Sequence, residues 1–282
     1  MSREPLEQIF LKTVRVSGLV CLCLVVAFPF YWMILSSFRP LERMLLAPAH
    51  LLPDLGQLDL HAYKSVLLEH GFLKTLFNSA YVSLFTVLLT LALATFGGYA
   101  VARLRFRGRE AMALSVLVIY MFPAIVLVVP LYVLFSLMGL RDSLHVLILV
   151  YLAQTLPVSL YMLDNYFRSL PVEIESAGLV DGCTRFGVIW RIVIPLSVPA
   201  LASVALYAFM IAWNEFLFAF MFLDTPGKFT LSRGVFQMAD SVHLSKQLVM
   251  AASVIITLPV IVLFLVAERQ LVKGLTAGAL KG

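Results

Sequence analysis

The sequence is poor in charged residues, and this scarcity excludes most soluble proteins. Only 13% of the 282 residues are charged, whereas 61% are hydrophobic, and the mean hydropathy is +0.97. Soluble globular domains have about 25% charged and about 45–50% apolar residues. We therefore expect the chain to lie in a lipid bilayer. Its length accommodates several spans of about 20 residues, with no room for a separate soluble domain.

The sequence also lacks the motifs of nucleotide and metal chemistry. It contains no G-x-x-x-x-G-K-[S/T] phosphate loop, and its three cysteines have no metal-ligand or disulfide spacing. Cys21 and Cys23 lie in an apolar run, where small packing residues are common, and Cys183 lies in a polar segment. The sequence predicts no catalytic centre, no cofactor site and no metal site. Any nucleotide hydrolysis would have to come from partner chains.

Six apolar runs, each with at most one charged residue, are long enough to cross a bilayer. They are predicted to be helices, because an open strand in lipid would leave backbone groups unpaired. The predicted fold class is all-α, a polytopic membrane protein with six transmembrane helices. The predicted spans are Val16–Phe38, Ser79–Val101, Met112–Met138, His145–Asn165, Ala200–Leu223 and Leu248–Ala267.

The first span is expected to be a retained anchor, not a signal peptide. Basic Lys12 and Arg15 precede it, as they would precede a signal sequence. Its apolar run, however, exceeds the roughly 7–15 residues of a signal core, and no small-x-small cleavage site follows.

The distribution of basic residues predicts the orientation. With both termini in the cytoplasm, thirteen of the 21 lysines and arginines lie on the inner side. The run Arg103-Leu-Arg-Phe-Arg-Gly-Arg109 places its own loop inside. This bias accounts for most of the net charge of +5 without any nucleic acid, and a lipid-headgroup contact is another role for the run. Both the N- and the C-terminus are therefore predicted to be cytoplasmic.

A polar segment from about 167 to 196 separates the fourth and fifth predicted spans. It is too long for a simple connector, and it is compatible with helix throughout. Pro171 suits a helix start, and Glu173 and Glu175 lie in the first turn, where the helix dipole favours anions. Such a loop suits a docking surface for another protein, or a structural turn on the membrane surface.

The second half of this segment predicts a helical elbow. Asp181 and Gly182 break the first helix, since glycine is the usual residue beyond a helix end. Cys183–Ile194 follows as a second short helix, because apolar residues recur there at helical spacing. Pro195 would then bend the chain back towards the membrane.

The spacing of the segment resembles the cytoplasmic "EAA" loop of permease subunits of binding-protein-dependent ABC importers. That pattern is Glu-Ala-Ala, three residues, Gly, nine residues, Ile, one residue, Leu, Pro. This chain has Ser176-Ala177-Gly178, three residues, Gly182, nine residues, then Ile192-Val193-Ile194-Pro195. Ser176 stands where the pattern has glutamate, Gly178 replaces the second alanine, and Glu175 lies one position earlier.

Four other segments extend the resemblance over nearly the whole chain, to the maltose-type, or MalG-like, carbohydrate uptake permeases. The last of them, the C-terminal nonapeptide, favours a carbohydrate substrate. The segments are Asn78-Ser79, Tyr99-Ala-Val-Ala-Arg-Leu-Arg-Phe-Arg-Gly108, Ala212-Trp-Asn-Glu215 and Gly274-Leu-Thr-Ala-Gly-Ala-Leu-Lys-Gly282.

The resemblance implies a transport subunit that is not itself an enzyme. Residues 1–282 would form one transmembrane domain, with a coupling loop at about 167–196 and a cytoplasmic tail at about 268–282. Its implied partners are a second homologous permease subunit, a dimer of ABC ATPase subunits that binds ATP and magnesium, an extracytoplasmic solute-binding protein and membrane lipid. The implied location is the cytoplasmic (inner) membrane of a prokaryote, which a sugar or oligosaccharide would cross by alternating access.

The resemblance also implies two sets of ATPase-facing residues. In the coupling loop they are Glu175, Ser176, Ala177, Gly178, Asp181, Gly182, Ile192 and Pro195. In the tail they are Thr276, Gly278, Lys281 and Gly282.

Polar residues inside the predicted spans are candidates for the solute path. Trp213, Asn214 and Glu215 lie in span five, and Gln154 lies in span four. Aromatic rings stack on sugar faces, and amide and carboxylate groups bond to hydroxyls. Intramembrane polar residues also serve helix–helix hydrogen bonding, and the sequence leaves this alternative open.

Other functions remain open at this point. An importer of the same type could carry an amino acid, phosphate, polyol or glycerophosphodiester. An ion-coupled carrier acting alone would need inverted repeats and a buried carboxylate network, and a membrane-embedded enzyme would need acid–base or metal ligands. The outer segment Arg39–Leu76 could meet the binding protein or the partner permease.

Overall fold

The computed structural model describes residues 4–40, 52, 58–68, 71–241 and 246–279, with the side chains of 4–7, 113, 117 and 269–279 left undescribed. These residues form helices joined by turns, and no strand occurs among them. The chain divides into two compact units, residues 1–70 with 237–257 and residues 71–236 with 258–282.

The first unit contains α1 (Glu4–Ser37), α2 (His61–Leu68) and the first part of the last helix. Side chains on α1 are exposed on all faces from Gln8 to Phe30, as expected for a helix that lipid surrounds. At its end, the Ser37 and Tyr63 hydroxyls lie 2.6 Å apart and Phe38 packs on the Tyr63 ring. These contacts join α1 to α2.

The second unit is built around two long helices, α3 (Phe72–Arg103) and α6 (Leu144–Ser169). Their contact contains small and hydroxylated residues, with the Thr90 and Thr155 hydroxyls 2.8 Å apart. A Cβ on Gly98 would lie 3.1 Å from Leu163 Cβ and 3.2 Å from the Asp164 backbone nitrogen. The glycine therefore lets the two helix backbones approach closely.

The third predicted span is divided. Residues Met112–Met138 were expected to form one helix, but the structure has α4 (Arg109–Tyr120) and α5 (Ala124–Leu137), which differ in direction by 94°. Pro123 is the N-cap of α5. Proline has no backbone N–H and disfavours helix at the residue before it, which accounts for the break.

The segment after α6 forms two short helices. They are α7 (Val172–Val180) and α8 (Arg185–Leu196). The α8 helix widens into a π-helical turn at Ile189–Val193, and an 80° bend separates it from α9 (Val198–Asn214).

The fifth predicted span also differs from the structure. The expected helix Ala200–Leu223 is wrong as one element, because α9 ends at Asn214 and α10 (Leu217–Phe222) begins after an extended Glu215. A 3₁₀ turn (Pro226–Lys228), α11 (Leu231–Asp240) and α12 (Lys246–Ala279) complete the described chain.

Four described helices are long and apolar enough to cross a membrane. They are Gln8–Ser37, Phe72–Arg103, Leu144–Ser169 and Lys246–Glu268. They confirm four of the predicted spans. The number rises to six if the bent pairs α4–α5 and α8–α9 each count as one span.

The close approach of α3 and α6 makes Gly98 sensitive to a single methyl group. We predict that Gly98→Ala lowers the thermal unfolding temperature in detergent, because overpacking by about 1–3 kcal/mol outweighs the gain in helix propensity. Gly18→Ala is the matched control, since a Cβ there meets nothing within 4 Å. An unchanged or higher unfolding temperature for Gly98→Ala would contradict the close packing.

Candidate functional site

The predicted elbow between the two short helices is present, and the chain turns at Gly182. The backbone N–H of Gly182 donates to Leu179 O at 3.1 Å, and that of Cys183 donates to Gly178 O at 3.0 Å. Together with the φ of +88° at Gly182, these bonds form a Schellman motif. A Cβ at Gly182 would meet none of the described residues within 4 Å, so among them the requirement for glycine comes from the backbone angle.

The second helix of the loop starts with its own cap. The Thr184 hydroxyl accepts a hydrogen bond from the Gly187 N–H at 3.1 Å, which satisfies one of the free donors at a helix start. The C-cap of one helix and the N-cap of the next are therefore close together in the chain. This short connection leaves the elbow little freedom.

A buried ion pair joins the loop to α3. Arg103 Nε donates to Glu175 Oε1 at 2.7 Å, and the two side chains are only 10% and 9% exposed. Tyr99 donates its hydroxyl hydrogen to the other carboxylate oxygen at 3.0 Å, and Arg103 Nη2 donates to Leu170 O at 2.8 Å. Glu175 therefore fastens α7 to the end of the membrane helix.

The two departures from the EAA pattern have different environments. Ser176 is exposed, and its hydroxyl bonds back to Val172 O within the same helix. Gly178 is buried, and a Cβ there would overlap Ile192 Cδ1. The glycine thus makes room for Ile192, which lies close to α7.

The exposed surface of the loop is largely apolar. Val180, at the elbow, is 87% exposed, and Val172 and Ile174 are also exposed. Phe186 and Trp190 on α8 are exposed as well, although Phe186 stacks on Phe96 at 5.7 Å. Solvated connectors rarely carry such a group of large apolar side chains, which typically marks an interaction surface.

The end of the loop differs from the predicted bend at Pro195. Pro195 lies within the last turn of α8, and the chain changes direction at Ser197, after which α9 begins. The Ser197 N–H donates to Val193 O at 2.9 Å and Ile194 O at 3.0 Å. Since proline has no N–H, it contributes to the irregular helix just before the bend.

Glu215 has a local structural role. Its carboxylate accepts hydrogen bonds from the Tyr151 hydroxyl at 2.7 Å and from the backbone N–H groups of Phe218 and Ala219 at 3.0–3.2 Å. It therefore caps α10 and ties it to α6. Three donors from the protein therefore already bond to its carboxylate.

The other candidate solute residues are not gathered at one place. Trp213 is buried and stacks on Phe209 at 5.0 Å, whereas Asn214 is exposed and donates to Met210 O of its own helix. The Gln154 amide nitrogen is buried and has no hydrogen-bond partner among the described residues.

An apolar groove of about 720 Å³ lies between α3, α9 and the second part of α12. Leu84, Phe209, Trp213 and Val262 are among its lining residues. The described residues of the lining offer two aromatic rings and, apart from the indole of Trp213, no side-chain hydrogen-bonding group. Of the four predicted solute-path residues, it contains Trp213 alone.

The Asn78-Ser79 segment, which the sequence marks only by its resemblance to the permease family, has a structural role. Asn78 Nδ2 donates to the carbonyl oxygens of Gly227 and Phe229 at 3.1 and 3.0 Å. The Ser79 hydroxyl accepts from the Leu231 N–H at 2.7 Å. These bonds hold the segment that connects α10 to α11 against α3.

Asp142 fixes a neighbouring turn. It has a left-handed backbone, with φ of +56°, and its carboxylate accepts hydrogen bonds from Lys228 Nζ at 2.9 Å and from the Thr225 and Asp224 N–H groups. Partial burial by itself raises the pKa of Asp142. The hydrogen bonds from Thr225, Lys228 and Asp224 outweigh this effect and hold the pKa well below its usual range.

The predicted ATPase-facing tail is only partly described. Thr276 and Gly278 lie within α12, which runs to Ala279, and their side chains are outside the described set. Lys281 and Gly282 lie outside the described residues. Among the described residues, no cluster of His, Cys, Asp and Glu could hold a metal ion.

Comparison with known sequences gives the family. Residues 94–276 match the family described as "Binding-protein-dependent transport system inner membrane component". The chain is 37% identical over 267 residues to the inner membrane ABC transporter permease protein YcjP of Escherichia coli (strain K12), covering 94% of this chain and 95% of that one. It is 34% identical over 287 residues to the trehalose/maltose transport system permease protein MalG of Thermococcus litoralis, covering 98% and 99%.

A solved structure shares the fold. A chain in the crystal structure of a bacterial ABC transporter involved in the import of the acidic polysaccharide alginate aligns with a TM-score of 0.81 at 22% identity, covering 95% of this chain and 98% of that one. At this identity, the likeness concerns the fold alone.

The chain belongs to the family of binding-protein-dependent transport system inner membrane components. It is a membrane-embedded permease subunit of an ABC importer, and thus a transport component. The resemblance drawn from the loop and four other segments is confirmed.

The buried ion pair predicts how the loop responds to loss of one charge. In Glu175→Gln, Arg103 is left buried without its counter-ion, at a cost of about 3–5 kcal/mol. We expect hydrogen exchange of the α7 amides to accelerate by roughly 150- to 5,000-fold. Glu173→Gln is the matched control, because Glu173 lies exposed on the same helix. Equal exchange in the two variants would show that the pair does not hold the loop.

The lowered pKa of Asp142 predicts that its carboxylate contributes a constant amount to the free energy of unfolding around neutral pH. A carboxyl whose folded pKa is lowered stabilises the protein above its unfolded pKa of about 3.9, and this stabilisation is lost as pH falls towards the folded value. Asp142→Asn should therefore destabilise the chain by about 1–3 kcal/mol, equally from pH 5 to pH 8 and less below about pH 4.

Thermal unfolding in detergent measures this effect. Asp224→Asn is the control, because Asp224 pairs with an exposed Arg141 and such pairs contribute little. A destabilisation by Asp142→Asn that already fades between pH 8 and pH 5 would contradict the assigned hydrogen bonds.

Proposed function

We propose that this permease carries a sugar or oligosaccharide and that its loop at 172–196 couples transport to ATP hydrolysis on partner subunits. The observation that carries the coupling role is the buried Arg103–Glu175 pair, which joins an otherwise exposed two-helix loop to a membrane helix. A loop that transmits force has to move together with the spans to which it is attached. This pair and the Schellman elbow supply that stiffness.

The exposed apolar side chains of the loop support docking on another protein. Val180 protrudes at the elbow, and Phe186 and Trp190 lie on the second helix. A cleft in an ATPase subunit would bury these side chains, with the hydrophobic gain typical of interface cores. ATP and magnesium would bind to the ATPase subunits, and this chain would bind neither.

The proposed topology places the loop and both termini in the cytoplasm. The arginine run at 103–109 supports this orientation, because basic loops are retained on the cytoplasmic side. The Asp142 and Asn78 clusters then lie on the outer side, towards a solute-binding protein. Residues 1–282 would act as one transmembrane domain beside a second, homologous permease chain.

The sugar assignment has two supports of different kinds. The similar protein from Thermococcus litoralis is a trehalose/maltose transport system permease. In this chain, Phe209 and Trp213 present aromatic rings at the apolar groove, and aromatic rings stack on the apolar faces of sugars. Glu215 and Asn214 contribute less, because their side chains already bond to neighbouring groups.

Co-purification tests the proposed assembly. The chain would be tagged at its N-terminus, leaving the tail free, extracted in mild detergent and analysed by mass spectrometry. We expect a second permease chain and an ATPase, and uptake of a sugar by the reconstituted complex when a binding protein is added. A chain that purifies stably alone, and that moves solute without ATP, would contradict the proposal.

The elbow gives a sharper test of coupling. Gly182→Val places a β-branched residue at φ of +88°, with a backbone cost of roughly 1–2 kcal/mol. We expect the assembled complex to hydrolyse ATP with several-fold less solute uptake per ATP. Gly139→Val is the matched control, since Gly139 has φ of +71° and equally open surroundings. The same uptake per ATP in both variants would exclude the elbow from coupling.

A further inference from the structure

A concavity lined by arginines lies at the turn between α3 and α4. It has a volume of about 740 Å³, and the described residues that line it are consecutive, from Arg105 to Ala111. Both flanking helices belong to candidate membrane spans. The turn therefore lies where the chain leaves and re-enters the bilayer, which is the depth of lipid headgroups.

The charges around this concavity are uncompensated. Arg105 and Arg107 are exposed, Arg109 is half-buried, and none of the three has an ion-pair or hydrogen-bond partner among the described residues. Glu110 is the single acid among the described residues of the lining. The three guanidinium groups repel one another, and one carboxylate does not neutralise them. A bound phosphate would offset this repulsion and accept bidentate hydrogen bonds.

The neighbouring Arg103 shows that this charge excess is local. Its guanidinium is held by Glu175 and by Leu170 O. The arginine run thus divides into one structural residue and three residues available to a ligand. An arginine run that only determined the topology would not need several of its arginines to line one concavity.

A separate, largely apolar cavity lies next along the same helix. It has a volume of about 200 Å³ and lies between α3, α4 and α6, where Val101, Met112, Leu114 and Leu160 are among its lining residues, together with Asp164, which pairs with Arg168. The first residues of α4 line the concavity, and the next turn lines the cavity. At 1.5 Å per residue, Arg109 and Leu114 are about 7.5 Å apart along the helix axis, within reach of one amphiphilic molecule.

We propose that these two features form a binding site for an anionic phospholipid. Arg105, Arg107 and Arg109 hold the phosphate, and the apolar cavity takes the first part of an acyl chain. Charge complementarity selects an anionic headgroup, and the cavity selects a lipid over a free phosphate. This site is separate from the coupling loop and does not depend on which solute is carried.

Native mass spectrometry of the full chain in detergent tests the site. The chain is titrated with phosphatidylglycerol, and Arg105→Gln/Arg107→Gln is compared with the wild type. Since each basic residue near the surface contributes about 1 kcal/mol, we expect roughly 30-fold weaker binding in the double variant. Arg103 and Arg109 remain in place to preserve the topology.

Three comparisons distinguish this site from general attraction and from a simple anion site. Lys12→Gln/Arg15→Gln removes two exposed charges from α1 and should leave the affinity within about twofold. Phosphatidylcholine with the same chains should bind at least tenfold more weakly. Glycerol 3-phosphate and inorganic phosphate should not displace the bound lipid at millimolar concentration.

The opposite results would overturn the proposal. An equal loss of affinity in the two double variants would show bulk electrostatic attraction. Equal binding of phosphatidylcholine would exclude recognition of the charge, and displacement by inorganic phosphate would show an anion site without a lipid component. Thermal unfolding of both variants verifies that each remains folded.

Discussion

The buried pair between Arg103 and Glu175 is the interaction on which the functional part of the molecule depends. It joins residues separated by 72 positions and connects the end of a membrane helix to the first helix of the loop. Burial of two charges is costly unless both are fully hydrogen-bonded. Tyr99 and the Leu170 carbonyl provide the remaining partners. This ion pair attaches the loop to its span. Removal of either charge would leave the other one buried without a counter-ion.

The same principle of saturated polar groups operates at the opposite end of the second unit. Glu215 caps α10 and accepts a hydrogen bond from the Tyr151 hydroxyl. Asn78 donates to two carbonyls of the segment after α10, and Asp142, which lies before α6, fixes the turn that follows α10. Between these two ends, α3 and α6 approach closely at Gly98 and share a threonine pair. Because both ends and the contact between them are fixed, a displacement of the loop would move these helices as a body. Alternating access requires this behaviour.

The sequence predicts the main helices and the elbow but misses the interruptions and the long-range pairs. Apolar runs identify the long helices because hydropathy is a local property. Hydropathy does not detect the breaks at Pro123 and Glu215, where the chain stays apolar while its backbone turns. Gly182 was predictable as a helix terminator, since its φ requirement is local. The partner of Glu175 was not predictable, because Arg103 comes near only once the helices have packed.

Crosslinking to the exposed elbow tests the central claim most directly. A photoreactive residue would replace Val180, which is 87% exposed, in the assembled transporter. A second variant would carry it at Leu137, which is 82% exposed and lies at the outer end of α5 in the proposed topology. We predict a crosslink to the ATPase subunit from position 180 and none from position 137. No ATPase crosslink from 180, or equal crosslinking from both positions, would contradict the coupling role of the loop.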